Sequence, residues 1–310
     1  MDKEEYLIFN PEGGLGKVIA STAVTRNIKA TYPERKIIVV TPWPEVYLNN
    51  PDVYRVFRSG VIPYFYKDYI EGRETIVLKG EPYYNTGHIY NNQVLAESWC
   101  KTHNIEWDGI NTPLLSYTPA EVERIGNQFT RSKPTLLLQT NGGMFHDNET
   151  GYCWTRDIPT EQAQILVDNL KEQYHILHAT RPNCPTLHGV EALPEMDKRT
   201  LMLLPAIVQQ RILIDSCLQH AAAAFDVESS VLWVGTHPEV FGYEVHKNFK
   251  PAIEPIKEQN TAGIDSFLFD YDFSGPAHEF PYPQPDIFNL QDIFDSVVGV
   301  AFNEAAAIPS

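Results

Sequence analysis

The stretch Tyr6-Leu7-Ile8-Phe9-Asn10-Pro11-Glu12-Gly13-Gly14-Leu15-Gly16-Lys17-Val18 decides the fold. A short unbroken apolar run suits a strand buried on both faces, and the Asn, Pro and Gly residues after it punctuate the chain. Beyond the turn, Val18, Ala20, Val24 and Ile28 recur at roughly helical spacing. Pro33 follows that helix, and Lys36-Ile37-Ile38-Val39-Val40 is β-branched and nearly continuous. Strand, turn, helix and strand in this order open a parallel α/β unit.

Working outward, Val56-Phe57 and Thr75-Ile76-Val77-Leu78 are further strand candidates, and a helix is predicted across Ile89 to His103. The pattern breaks at Asp108-Gly109-Ile110-Asn111-Thr112-Pro113, and Pro119 opens a helix reaching about Phe129. Alternation resumes at Thr135-Leu136-Leu137-Leu138-Gln139. It continues with a helix from about Thr160 to Gln173, a strand His175 to His178 and a helix near Lys198 to Val208. A strand Arg211 to Ile214, a short helix Leu218 to Phe225 and a strand Val231 to Val234 complete it. Two α/β halves in tandem follow from this order. The segment from Pro251 to Pro285, rich in Pro, Asp and aromatics, reads as an irregular crossing, and Asn289 to Asn303 as a final helix.

Composition narrows the function. The 310 residues carry 24 Lys and Arg against 40 Asp and Glu, a formal charge of −16. Such a surplus repels polyphosphates, which disfavours nonspecific nucleic-acid binding. No apolar run approaches the ~20 residues needed to cross a bilayer. The start, Met1-Asp2-Lys3-Glu4-Glu5, is acidic where a secretory signal is basic, so a cytoplasmic location is expected. Cys100, Cys153, Cys184 and Cys217 form no CxxC pair and read as free thiols.

Three turns at strand ends carry the candidate chemistry. In Glu12-Gly13-Gly14-Leu15-Gly16-Lys17 the glycines let backbone approach a ligand, and the following helix start offers unpaired N–H groups. It is not a Walker A loop, because Pro11 stands where Gly is needed and Val18 where Ser or Thr is needed. In Ile214-Asp215-Ser216-Cys217-Leu218-Gln219-His220, Asp215 or Ser216 can cap a helix whose first N–H groups would meet a diphosphate, with His220 one turn in. Gln139-Thr140-Asn141-Gly142-Gly143 is a polar turn, and Tyr152 to Pro159 follows it, with Arg156 able to meet a phosphate. The bland reading pairs Arg156 with its neighbour Asp157. Asp270-Tyr271-Asp272 invites a metal, but it comes late in the chain, beyond both sheets, and no metal site is expected. Neither HExxH nor GxSxG occurs.

Together these elements resemble the bacterial heptosyltransferases and their relatives in glycosyltransferase family 9, which have the two-lobed GT-B fold. In that family a strand enters a Gly-containing turn, a Lys-containing stretch ends in Pro, and a DxGxxH-like helix start holds the sugar nucleotide. Gly14-Leu15-Gly16-Lys17 resembles the first, and Arg156-Asp157-Ile158-Pro159 the second, with Arg for Lys. Asp215 to His220 resembles the third, with Cys217 for Gly, and Val234-Gly235-Thr236-His237-Pro238 is similar to a small-residue turn of the family. The likeness keeps its order over residues 6 to 245 and extends to glycosyltransferase-like proteins of tailed phages.

The resemblance implies two Rossmann-like domains facing a cleft, 1–132 for the acceptor and 133–285 for the nucleotide sugar. A C-terminal helix within 286–310 would cross back to the first domain. It implies a hexosyl- or heptosyltransferase-like enzyme that moves a sugar from a nucleoside-diphosphate sugar to a small-molecule or glycan acceptor, with neither metal nor other cofactor. Thr140, Asn141, Arg156, Asp215, Ser216, Cys217, Leu218 and His220 would hold the donor, with base and ribose near Thr180 to Leu193. Gly13, Gly14 and Gly16 would shape the acceptor face. The family has an aspartate as catalytic base where Lys17 stands, and an ammonium cannot accept that proton. Either Glu12 serves as base, or Lys17 binds an anion, or transfer is lost. The last leaves a catalytically silent nucleotide-sugar-binding protein. A nicotinamide-dependent oxidoreductase fits less well, since the third glycine of the fingerprint is Ile19 and no acid follows Val39-Val40-Thr41.

Overall fold

The computed structural model describes residues 4–142, 155–182, 184–254 and 282–298. The chain divides into two units, 1–122 and 123–310, so the division falls inside a helix, not after it at residue 132.

The first unit holds β1 (Tyr6–Phe9), α1 (Leu15–Thr31), β2 (Lys36–Thr41), β3 (Arg55–Arg58), α2 (Phe65–Tyr69) and β4 (Thr75–Leu78). It continues with α3 (Thr86–Asn91) and α4 (Leu95–Thr102), and α5 (Pro119–Phe129) spans the division. Its sheet runs β3-β2-β1-β4 with every pairing parallel. All four residues of β1 are buried, as a central strand covered on both faces requires. α1 is buried for most of its length and packs on α4. Its buried hydroxyls are satisfied within the turn: Ser21, Thr22 and Thr25 donate to the carbonyls of Val18, Ile19 and Thr22. The single helix predicted across Ile89 to His103 is two, separated where Asn92 takes a left-handed φ of 53°.

The second unit holds β5 (Thr135–Gln139), α6 (Thr160–Leu170), β6 (His175–Ala179), β7 (Glu191–Ala192), α7 (Lys198–Ile207) and β8 (Gln210–Ile214). α8 (Cys217–Ala224), β9 (Ser230–Leu232), α9 (Pro238–Phe241), β10 (Lys247–Phe249) and α10 (Leu290–Val298) complete it. Its sheet runs β10-β9-β8-β5-β6-β7, again with parallel pairings throughout. β7 and β10 are edge strands too short to show a period in sequence. No helix among the described residues is long and apolar enough to cross a membrane.

The C-terminal helix packs within the second unit over its described residues. Ile293 and Val297 of α10 are fully buried in the core of the second unit, with Leu166, Leu170, Tyr174 and Ile212. Gln162 on α6 anchors the approach, accepting from the N–H groups of Ile287 and Phe288 and donating to the Phe288 carbonyl. Ser296 Oγ lies 2.7 Å from Ser230 Oγ on β9. Most of the predicted crossing segment lies outside the described residues.

Candidate functional site

In each sheet the first strand is flanked by a strand reached in one direction and by another reached only after the chain reverses. Loops at the carboxyl ends of such a pair leave in opposite directions and open a crevice, the usual ligand site of open parallel sheets. The reversal lies between β5 and β8 in the second unit and between β1 and β4 in the first.

At the β5/β8 crevice, Thr140, Asn141 and Gly142 follow β5, while Asp215 and Ser216 follow β8. The two loops touch at Gly142, where a Cβ would lie 2.9 Å from Ser216 Oγ. Gly142 N–H donates to Asp157 Oδ1 (3.0 Å), and Asp157 Oδ2 accepts from Arg181 (2.7 Å). Arg181 also donates through its backbone N–H (2.8 Å) and Nε (3.2 Å) to Asn141 Oδ1. Asn141 Nδ2 in turn donates to Thr180 Oγ1 at 2.9 Å. Thr140 Oγ1 lies 2.8 Å from His178 Nε2, and burial pushes His178 down to about 4, so this ring is neutral at pH 7.

Arg156 pairs with Asp215 across the crevice, Nε to Oδ2 3.8 Å, while Asp157 is held by Arg181. Two cross-loop pairs thus join these segments, Arg156 with Asp215 and Asp157 with Arg181. Arg156 is 39% exposed and Asp215 6%, so the guanidinium is the reachable partner. Ser216 occupies the N-cap of α8, and its side chain makes no capping hydrogen bond to the first-turn N–H groups.

Three of the named residues are wholly or partly buried. His220 is buried, edge-on to Tyr243 at 5.6 Å, with Nδ1 2.7 Å from the phenol oxygen. Burial pushes it down to about 4, so it is a neutral ring and adds no positive charge to the helix start. Leu218 is core, and Cys217 is a half-buried thiol whose pKa burial raises. Sequence reasoning gave His178 no role, included Arg181 only within the Thr180 to Leu193 segment, and saw Asp157 as a motif neighbour and alternative partner of Arg156. Their signal was position: His178 near the carboxyl end of β6, Arg181 just past that strand, and Asp157 in the turn before α6. Beside this network lies a small cleft, partly open to solvent, lined by Thr140, Asn141, Asp157, Thr160, Cys184 and Leu187.

At the β1/β4 crevice, Gly13 takes a φ of +107° that glycine tolerates, and its carbonyl accepts from Trp43 Nε1 at 3.0 Å. Gly14 is the N-cap of α1, open space lies where its Cβ would point, and Gly16 is already helical. Lys17 is ion-paired to Glu81, which follows β4, and its ammonium sits 4.7 Å from the Tyr83 ring centre and 5.9 Å from that of Trp99. Glu12 is exposed and lies 3.2 Å from Lys79, also exposed. Glu81 was not singled out from sequence.

Gly143, Tyr152, Cys153, Trp154, Asp270 and Asp272 lie outside the described residues. Among the described residues no group of three or more His, Cys, Asp and Glu side chains could hold a metal ion.

No family model matches the sequence, and no curated protein matches it. Solved structures do. A family 9 glycosyl transferase from Veillonella parvula superposes with a TM-score of 0.60 at 12% identity, over 81% of this chain and 87% of that one. The E. coli heptosyltransferase WaaC with ADP gives 0.55 at 11% identity, over 94% and 99%. TibC, an iron-containing dodecameric heptosyltransferase solved with ADP-D-β-D-heptose, gives 0.57 at 11% identity, over 90% and 68%. The chain thus has the heptosyltransferase-like fold of these proteins, as the three sequence elements implied.

Proposed function

We propose that this chain, built on the fold of family 9 glycosyltransferases, transfers a sugar from a nucleoside-diphosphate sugar to a hydroxyl acceptor. The observation that carries the reading is the β5/β8 crevice of the second unit. There the Arg156 guanidinium, 39% exposed, and the start of α8 at Ser216, whose side chain does not cap it, stand beside the Thr140-Asn141-Gly142 turn. A diphosphate leaving a sugar builds negative charge, and preorganised donors and cations lower that barrier. Arg156 and the α8 N–H groups meet the diphosphate, without recourse to a metal ion. Asp157 and Arg181 hold the turn in shape. Ribose and base lie against the surface beyond the turn, where Cys184 and Leu187 line a small cleft partly open to solvent. By analogy with the ligands of the neighbouring structures, an adenosine diphosphate sugar is the first donor to try.

Isothermal titration with ADP, UDP, GDP and ADP-D-β-D-heptose tests the reading. Binding of at least one, weakened in Arg156→Ala by tenfold or more, about 1.4 kcal/mol, is expected. Silence across the panel would sink the proposal.

One observation favours a second reading, a silent nucleotide-sugar-binding protein: the residue at the resemblance's aspartate position, Lys17, is locked to Glu81 and cannot act as a base. Binding with no ADP release under any acceptor would decide for it.

A further inference from the structure

The first unit offers a replacement for the missing base. Its β1/β4 crevice brings two acids to the strand ends, and they differ in how they are held. Glu12 and Lys79 form a pair in which both side chains are exposed, the kind that fixes little geometry. Glu81 is fixed twice over. Lys17 donates to Oε2, and the N–H of Tyr83 donates to Oε1 at 3.3 Å. The lysine is the enclosed member of its pair, 9% exposed and boxed by Tyr83 and Trp99, whereas the carboxylate is 33% exposed and reaches solvent. The turn is built for this pair: a Cβ on Gly13 would meet Lys17 Cδ at 2.9 Å, so glycine lets the lysine stem lie across it. Asn10 N–H donates to the Leu78 carbonyl at 3.0 Å and ties the two strand ends together. Nothing lies within 4 Å of where a Cβ on the exposed Gly14 would point.

We infer that Glu81 is the base for the acceptor hydroxyl and that Lys17 is its positioning residue, an inference that rests on the glycosyl-transfer reading above. As the acceptor oxygen bonds to the anomeric carbon, the bond from that carbon to the diphosphate oxygen breaks and its electron pair leaves with the diphosphate. The hydroxyl proton passes to the Glu81 carboxylate and from there to solvent. The acceptor oxygen becomes strongly acidic only as its new bond forms, so the proton is transferred late, when a carboxylate can take it. The ammonium keeps that carboxylate oriented and has no lone pair to compete for the proton.

The test uses the full chain, ADP-D-β-D-heptose as probe, and two acceptors: water, which must lose a proton, and azide, which has none to lose. Glu81→Gln should lower water-dependent ADP release by roughly 10²–10⁴-fold, leave donor affinity unchanged, and recover ADP release with azide. Lys17→Met should lower the same rate, and Lys17→Arg should restore part of it. Glu81→Gln turning over water at the parental rate overturns the inference, as does loss in Glu12→Gln with Glu81→Gln active. Equal loss with azide and water also overturns it, because a base is not needed for azide. A parent chain that binds the donor yet releases no ADP removes the role of Glu81 and leaves a binding protein. A parent chain that binds neither ADP nor ADP-heptose fails the functional reading itself.

Discussion

Gly142 and Ser216, from the loops after β5 and β8, approach so closely that a Cβ on the glycine would stand 2.9 Å from Ser216 Oγ, 3.1 Å from Ser216 Cβ and 3.3 Å from Ile214 Cδ1. The contact sets the width of the crevice in which the start of α8 meets the β5 turn. Gly142→Ala must push Ser216 aside or shift the Gly142 N–H from Asp157, and either change moves the donor groups off a diphosphate. We expect ADP affinity to fall roughly tenfold, about 1.4 kcal/mol, with the thermal midpoint little altered. Titration of the variant alongside the parent checks this, and equal affinities would show that the contact does not shape the site.

Asp157 and Arg181 form a pair with little exposure on either side, 3% and 16%. Removing one partner of a buried pair strands the other charge, which costs about 3–5 kcal/mol, whereas replacing both is far milder. Asp157→Ala should therefore destabilise the second unit strongly, and Asp157→Ala combined with Arg181→Met should recover much of the loss. Urea unfolding of the two singles and the double measures this. A double variant no more stable than Asp157→Ala alone would show that the pair is not the source.

What the sequence disclosed and what it hid divide along physical lines. Buried central strands announce themselves through runs such as Leu136-Leu137-Leu138 and Ile37-Ile38-Val39, because both faces are covered and no alternation is needed. The turn after β1 and the start of α8 were legible for the same reason: each follows such a run. The partners of charged groups were not. Arg156 stands next to Asp157 in the chain, yet its observed partner Asp215 is 59 residues further on (215 − 156) and is brought near only by the order of strands in the sheet. Glu81 escaped notice similarly, since its link to Lys17 depends on β4 lying beside β1. The break between α3 and α4 was hidden because apolar spacing continues through Val94 and Leu95 while the backbone turns at Asn92.

Burial holds His178, His220 and His246 at about 4, against roughly 6.5 in an unfolded chain. Between those values the unfolded chain binds protons that the folded chain refuses, so stability is fully present above about pH 6.5 and falls as the pH drops toward 4. By pH 5 the loss should be on the order of 2 kcal/mol for each histidine. Glu191, held near 2 by Arg131, contributes stability above the unfolded glutamate value that is lost only as the pH falls from about 4.5 toward 2. The window from pH 7 to 5 therefore isolates the histidines. Urea unfolding across it should show a declining midpoint, and His246→Asn should flatten the slope. A midpoint that stays level from pH 7 to 5 would contradict the burial argument.

α10 supplies the last prediction. Ile293 and Val297 are fully buried in the same core as Leu166, Leu170 and Ile212, and Tyr174 donates its phenol proton to the Val297 carbonyl at 3.3 Å. Truncating a fully buried isoleucine removes its transfer energy and leaves a cavity, at about 2–5 kcal/mol. If α10 belongs to the second unit, as its packing requires, the damage in Ile293→Ala should be local to that unit. Hydrogen exchange should quicken in β5, β9 and α6, and the amides of β1, β2 and α1 should keep their parental protection. The opposite pattern, with faster exchange in the first sheet and an unchanged second, would mean that the helix serves the first unit after all. Gln162→Ala gives an independent check from the other side of the contact. Removing the side chain that accepts from Ile287 and Phe288 leaves both N–H groups without that acceptor, and exchange at those two amides should rise ahead of the rest of the unit.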